Sequence, residues 1–283
     1  MIFRFKTIFF ILSIIIFFLT SCEIINPPEE LPSYIQIDTF KLQTNEPQEG
    51  INTHSITDVW VYIDGSFVGA YELPAHFPVL ETGRHKITLY PGIKNNGIAA
   101  SRVIYPFYTM FEDDTTLTEK QVITINPTVS YRDETVFAWI EDFEEAGITI
   151  DTTYRSETDI IIFDETDNQA AHIFLDSTQK FFECISDESF TLPRNSSVYF
   201  EMDYKNSRIF AFGLFINKSY TLTQQPVIYL NPSNTWKKIC VDLTYYTSTN
   251  PDAINFNIFF SIYKTDTLSV ADVYLDNLKL IHF

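Results

Sequence analysis

The sequence predicts an all-β protein in which a small β-sandwich is followed by a larger one. Short runs of β-branched and aromatic residues recur from Asp58 to the C-terminus, and turn dipeptides such as Asp64-Gly65 and Pro91-Gly92 punctuate the first part. No amphipathic helix of useful length separates the later runs. Composition agrees with a folding chain: of 283 residues 45% are hydrophobic and 20% charged, with 26 Phe and 16 Tyr against 8 Gly, which excludes disordered and collagen-like classes. At roughly 100 to 200 residues per domain, the length suggests two domains. The formal net charge of −18 argues against a nucleic-acid partner, because affinity for phosphate backbones comes from clustered Lys and Arg.

At the N-terminus Arg4 and Lys6 precede an apolar run, Ile8 to Leu19, interrupted by Ser13, and the chain then reads Leu19-Thr20-Ser21-Cys22. A positive n-region, an apolar h-region and small residues before a cleavage point are signal-peptide features. As a helix the run rises about 18 Å, short of the roughly 30 Å hydrocarbon core, which disfavours a permanent transmembrane span. The Leu-Thr-Ser-Cys ending resembles the bacterial lipobox. The resemblance implies that residues 1–21 are a lipoprotein signal peptide and that Cys22 is acylated, palmitate being the expected acyl group, to become the first residue of the mature protein. Several acyl chains at about 0.8 kcal/mol per buried methylene give stable anchoring. Glu23, rather than an aspartate, follows the cysteine. In lipoproteins of this type that implies the outer membrane, on its periplasmic or its cell-surface face. Residues 22–33, with Asn26-Pro27-Pro28-Glu29-Glu30-Leu31-Pro32, read as a stiff extended tether.

Residues 34–132 form the first predicted domain. In Asp58-Val59-Trp60-Val61-Tyr62-Ile63 the apolar Val59, Val61 and Ile63 share one face, and Asp64-Gly65 follows as a hairpin signal before Phe67 to Tyr71. Gly83 opens a third run, His85 to Tyr90, which Pro91-Gly92 is expected to close; further runs lie at Val103 to Tyr108 and Gln121 to Asn126. The series Val61-Tyr62-Ile63-Asp64-Gly65, Gly69, Pro74 and Gly83-Arg84-His85 resembles the Ig-like PEGA sandwich of bacterial envelope proteins over about 35 residues, although the tetrapeptide that names that family is absent. The resemblance implies a structural or adhesive unit without a catalytic site. Glycines thin out after Gly97, leaving only Gly147 and Gly213, and this compositional step puts the boundary near Arg132-Asp133.

Residues 133–283 form the second. Eight runs, at Asp159 to Phe163, Ala171 to Leu175, Ser197 to Tyr204, Arg208 to Ile216, Pro226 to Leu230, Trp236 to Leu243, Ile254 to Tyr263 and Val270 to Ile281, favour a two-sheet jelly roll. The segments Trp139 to Glu144, Trp236 to Leu243 and Val273 to Leu280 resemble the first, a later and the final strand of jelly rolls of the carbohydrate-binding-module kind. Such modules often tie first and last strands through a structural calcium. The resemblance thus implies Asp142, Glu144 and Asp276 as calcium ligands, against the alternative of acids that cap the domain and face water. No other cofactor is expected.

The search for catalysis finds no Gly-x-Ser-x-Gly elbow, no phosphate loop and no His-Glu-x-x-His pair. Glu201 and Asp203 share one face of a regular strand, as a glycosidase pair would, but in so acidic a chain the expectation is a solvated acidic face. Cys184 and Cys240 are either a disulfide or two buried thiols. Aromatic rings are the expected binding chemistry, with Trp139, Tyr204, Tyr220, Tyr229, Trp236, Tyr245 and Tyr246 as candidates, each competing with a place in a sandwich core. The function this favours is non-catalytic binding at the cell envelope, with the membrane reached through the lipid anchor and a glycan or an envelope protein as partner. The alternatives are a scaffold subunit of an outer-membrane complex and a glycan hydrolase. Changing Cys22 to Ala is expected to leave the precursor unprocessed or to release the protein from membranes, as read by intact mass and phase partitioning. Unchanged mass and partitioning would remove the lipidation reading.

Overall fold

The computed structural model describes residues 29–165, 168–265 and 269–283. The signal sequence, Cys22 and the start of the tether lie outside the described residues. Within them no helix is long and apolar enough to cross a membrane.

A first unit runs β1 (Ser33–Ile37), β2 (Lys41–Gln43), β3 (Ile56–Ile63), β4 (Ser66–Glu72) and β5 (Ala75–Val79). It continues through β6 (Gly83–Lys94), β7 (Arg102–Ile104), β8 (Phe111–Leu117), β9 (Val122–Thr124) and β10 (Thr128–Ser130). A second unit holds β11 (Val136–Glu141), β12 (Ile150–Thr152), β13 (Ile160–Glu165), β14 (Asn168–Leu175), β15 (Phe181–Ser186) and β16 (Val198–Asn206). It ends with β17 (Phe210–Lys218), β18 (Leu222–Leu230), β19 (Ser233–Asp242), β20 (Ala253–Tyr263) and β21 (Ala271–His282). Among the described residues helix is confined to short segments such as Glu46–Glu49 and Thr244–Thr249.

In the first unit a sheet ordered β4-β3-β6-β7, with β8 also on β6, shares one core with a smaller sheet ordered β5-β1-β9. Asp64 and Gly65 both take positive φ, 49° and 79°, which is the backbone a two-residue hairpin turn demands. Pro91 and Gly92 do not close the third strand as expected: β6 runs through them to Lys94. Gly92 is there for space, because a Cβ would lie 3.1 Å from the Trp60 ring on the neighbouring strand.

The second unit is a sandwich of two antiparallel sheets. One is ordered β13-β14-β21-β16-β19, with β11 also on β21; the other is ordered β12-β15-β20-β17-β18. All eight predicted runs are strands, and β12 and β15 are additional strands that the sequence reading passed over. Cys184 and Cys240 are free and buried. Burial raises both thiols, Cys240 to about 12 with the Glu201 charge adding to the effect, so neither is ionised near neutrality.

At β16 the first sheet of the sandwich is buried on both faces. Along β16 the side chains of Val198, Phe200, Met202 and Tyr204 enter the sandwich core, while Tyr199 enters the core of the first unit, as do Cys240 of β19 and Ile281 of β21. Glu201 and Asp203 follow Tyr199 on that face. The expected solvated acidic face is therefore wrong: Glu201 is 0% exposed and Asp203 is buried. Tyr105 donates its hydroxyl to Glu201 Oε1 at 2.6 Å and Tyr131 donates to Oε2 at 2.9 Å, both from the first unit. Lys238 Nζ lies 3.6 Å from Glu201 Oε2 and 3.8 Å from Asp203 Oδ2. Lys279, 0% exposed, donates to the Ile51 carbonyl at 3.1 Å across the seam.

With both carboxylate oxygens held and no exposed surface, Glu201 cannot flank a bond in a substrate, so Glu201 and Asp203 do not form a glycosidase pair. Removing one member of a buried ionic set leaves the others unpaired, which costs about 3–5 kcal/mol. Glu201→Ala is therefore expected to lower the unfolding free energy by about that much, and Tyr105→Phe by about 1–3 kcal/mol, as measured by denaturant unfolding. A neutral Glu201→Ala would contradict the account of the seam.

Candidate functional site

The seven aromatic candidates do not form one platform. Trp139 is 7% exposed and packs against Phe190 and Phe200, with ring centroids 5.7 and 6.2 Å away, while its Nε1 donates to Thr149 Oγ1. Tyr204 is 8% exposed on the inward face of β16, against Phe210. Both are core residues and cannot stack on a ligand. Tyr245 and Tyr246 meet edge to face in the short helix Thr244–Thr249, with Tyr246 packed on the sandwich core. Tyr220 stands exposed between β17 and β18. Trp236 lies on the seam side of β19, and Tyr229 on the outer face of the second sheet. The structure thus sends these two to opposite faces of the sandwich.

The outer face of the second sheet carries a groove of about 460 Å³, within the size range of ligand clefts. Its construction follows from strand alternation. Phe182, Phe212 and Phe260 point into the core, so their neighbours Glu183, Ala211 and Ser261 point outward, and the register sets Glu183, Ser261, Ala211 and Tyr229 in one row across four strands. Small residues in the middle of the row make the floor. Beside the floor, Gly213 makes room for Phe259, which lines the groove: a Cβ at 213 would lie 2.5 Å from Phe259 Cε1 and 2.4 Å from the Gln225 carbonyl oxygen. Tyr229 and Tyr263 rise from the groove lining, 65% and 69% exposed.

A polar bridge crosses the groove. Glu183 is buried, and its carboxylate accepts Gln224 Nε2 at 2.6 Å, Thr153 Oγ1 at 3.2 Å and Arg155 Nη1 at 3.4 Å. The Arg155 guanidinium sits 4.8 Å over the Phe181 ring. Tyr229 was legible in the sequence. Tyr263, Glu183, Gln224 and Arg155 were not singled out, and the signal that marks the first three is the outward parity of their strands combined with the small Ala211 and Ser261.

The three acids implied as calcium ligands do not converge. Asp142 Oδ1 accepts the Glu144 amide at 3.2 Å, and Glu144 Oε1 accepts the Gln169 amide at 2.6 Å. Among the described residues no group of three or more His, Cys, Asp or Glu is placed to hold a metal ion. The loop after β11 is tied instead by Glu141, which accepts the Phe143 amide at 2.8 Å and the Thr149 amide at 2.7 Å.

Asp276 faces a cleft at the seam, where it accepts Asn168 Nδ2 at 3.1 Å and the Asn277 amide at 2.7 Å. Burial pushes its carboxyl up to about 7, with the Asp203 and Glu144 charges adding to the shift. The folded state thus holds a proton that the unfolded state releases at lower pH, and Asp276 destabilises the fold increasingly as pH rises from about 4 to 7. Asp276→Asn is expected to raise the melting temperature by a few degrees at pH 8, a gain that disappears toward pH 4, as read by thermal melts across pH. A gain independent of pH would refute this.

No family model matches the chain, and no curated protein matches it. Solved structures similar to it include a family 29 carbohydrate-binding module complexed with mannohexaose, at 14% identity, covering 53% of this chain and 92% of that one, with a TM-score of 0.36. A family 22 xylan-binding domain from Paenibacillus barcinonensis matches at 12% identity over 52% of this chain and 94% of that one, with a TM-score of 0.38. A family 11 module from Clostridium thermocellum, in complex with a mixed-linked tetrasaccharide, matches at 13% identity over 50% and 94%, with a TM-score of 0.35.

Proposed function

We propose that this protein is a non-catalytic glycan-recognition module held at the outer membrane through Cys22. The observation that carries the reading is the groove of the second sheet, where exposed Tyr229 and Tyr263 stand around a floor of small residues crossed by hydrogen-bonding Glu183, Gln224 and Arg155. Sugar rings offer C–H faces to aromatic rings and hydroxyls to side chains that both donate and accept, and this lining supplies both. A net charge of −18 disfavours polyanions, so the ligand is a neutral or basic chain. Anchoring rests on Leu19-Thr20-Ser21-Cys22 and remains a reading of the sequence. An envelope-scaffold role draws on β13, an edge strand with exposed Ile161 and Ile162, since unpaired edges recruit partners.

Calorimetric titration with neutral oligosaccharides separates the two. Under the glycan reading Tyr229→Ala and Tyr263→Ala each weaken binding about tenfold or more, as central aromatic contacts do, and added salt leaves it unchanged. If no neutral glycan binds the wild-type chain, or if only polyanions do, the scaffold reading takes its place.

A further inference from the structure

The seam between the two units encloses a cleft of about 440 Å³ on the side of the sandwich away from the groove. Ligand clefts favour such junctions. Thr53 and His54 of the first unit make one wall, and Trp236 of β19 belongs to the other, contributed by the sandwich. Asp203, Asp276 and Asn277 line it as well.

The backbone that builds this lining is irregular. On a regular strand Asp276 and Lys279, three residues apart, would point to opposite faces. Between them the pairing of β16 with β21 slips: Glu201 lies opposite Lys279 and Asp203 opposite Asp276, two residues against three. The extra residue falls at Asn277, which takes a left-handed φ of 50°. Bulges of this kind re-aim side chains. Here the bulge turns Asp276 to the seam beside Asp203, while Lys279 stays on the same face.

The polar groups are fixed from behind. Asp203 Oδ2 accepts Thr53 Oγ1 at 2.8 Å and Asn277 Nδ2 at 3.0 Å, with Lys238 Nζ at 3.8 Å. All these contacts fall on one oxygen. Oδ1 accepts no hydrogen bond among the described residues and is not one of the buried unpartnered atoms, so it is open to the cleft. Carboxylate acceptors therefore stand beside amide and ammonium donors and an indole. An ammonium or a metal ion would meet Lys237 and Lys238 in the same lining, and a phosphate would meet two carboxylates. A neutral molecule whose every hydroxyl both donates and accepts suits this lining.

We propose that the seam cleft is a second sugar site, separate from the groove, which takes one neutral pyranose unit with Trp236 against the ring and Asp203 Oδ1 on a hydroxyl. This site bridges both units, so its ligand contacts the first unit as well as the sandwich.

The test titrates the purified full chain with glucose, mannose and galactose, following intrinsic tryptophan fluorescence and calorimetric heat. Saturable binding of at least one of them is expected, weakened about tenfold or more by Trp236→Ala and by Asp203→Asn. Asn168→Ala, at the cleft margin, is expected to weaken it less, and it serves as the folded variant should the others lose the native melt. The same titration of a Tyr229→Ala, Tyr263→Ala double variant, which removes the rings of the groove, reads the binding that belongs to the seam. No saturable monosaccharide binding up to tens of millimolar, or binding that survives both Trp236→Ala and Asn168→Ala, would overturn the proposal. Binding lost with Tyr229 and Tyr263 instead would assign the sugar to the groove, leaving that reading intact and refuting this one.

Discussion

A fully buried carboxylate has to be met on every side, and Glu201 is met by groups from both units. Tyr105 and Tyr131 supply hydroxyl donors from the first unit, while Lys238 and Lys279 bring positive charge from strands of the sandwich. Desolvating a charge costs several kcal/mol unless such partners are in place, so the two units can close only in the arrangement that delivers both tyrosines. Burial by itself would depress Lys238, yet the Asp203 and Glu201 charges outweigh it and raise the ammonium. Lys279, deeper and sharing these carboxylates with Lys238, is pushed down to about 8 by burial. Three buried carboxylates, Glu201, Asp203 and Asp276, face two ammonium groups across this seam. The surplus negative charge is relieved at Asp276, where burial above all, with the Asp203 charge adding, raises the carboxyl to about 7 so that it retains a proton.

That seam decides which surfaces are left for function. The first sheet of the sandwich serves two cores, with its β16 side chains divided alternately between them. Its far end continues as a ladder of side chains in which His172 stacks on Tyr274 at 4.2 Å and Lys205 lies over both Tyr274 and Trp236. Among the described residues the second sheet has no such neighbour over its outer face, so a groove can form where its outward residues are small. The interlock and the open groove are therefore the two sides of one arrangement.

The parts of this fold that depend on local pattern were legible in the sequence. Alternation in Asp58 to Ile63, the Asp64-Gly65 turn and the eight apolar runs of the second half all became strands or turns where they were read. Reading failed where a strand's environment is set by something distant. Glu201 and Asp203 alternate with apolar residues, the usual mark of one wet face, and only the first unit, packed over that face, makes it dry. Pro91 and Gly92 look like a stop but sit inside β6, where Gly92 gives room to Trp60. Asn277 gave no warning of the bulge that puts Asp276 and Lys279 on one side.

The candidate aromatics fail for a related reason. A ring's fate in a sandwich depends on strand parity, which residue type does not report: Tyr204 and Glu201 share β16, and the three-residue offset between them sends one into the sandwich core and the other to the seam. Rings are what a core consumes, so counting them marks cores as readily as sites. The groove is marked instead by what the outward row lacks, with Ala211 and Ser261 standing where bulky outward residues would fill the hollow. Gly213, beside that row, makes room for the Phe259 ring that lines the groove. In a β-sandwich a run of small residues at outward parity, bordered by one or two tyrosines, is thus a more discriminating sign of a binding face than aromatic abundance, and it can be read from sequence once the strand register is known.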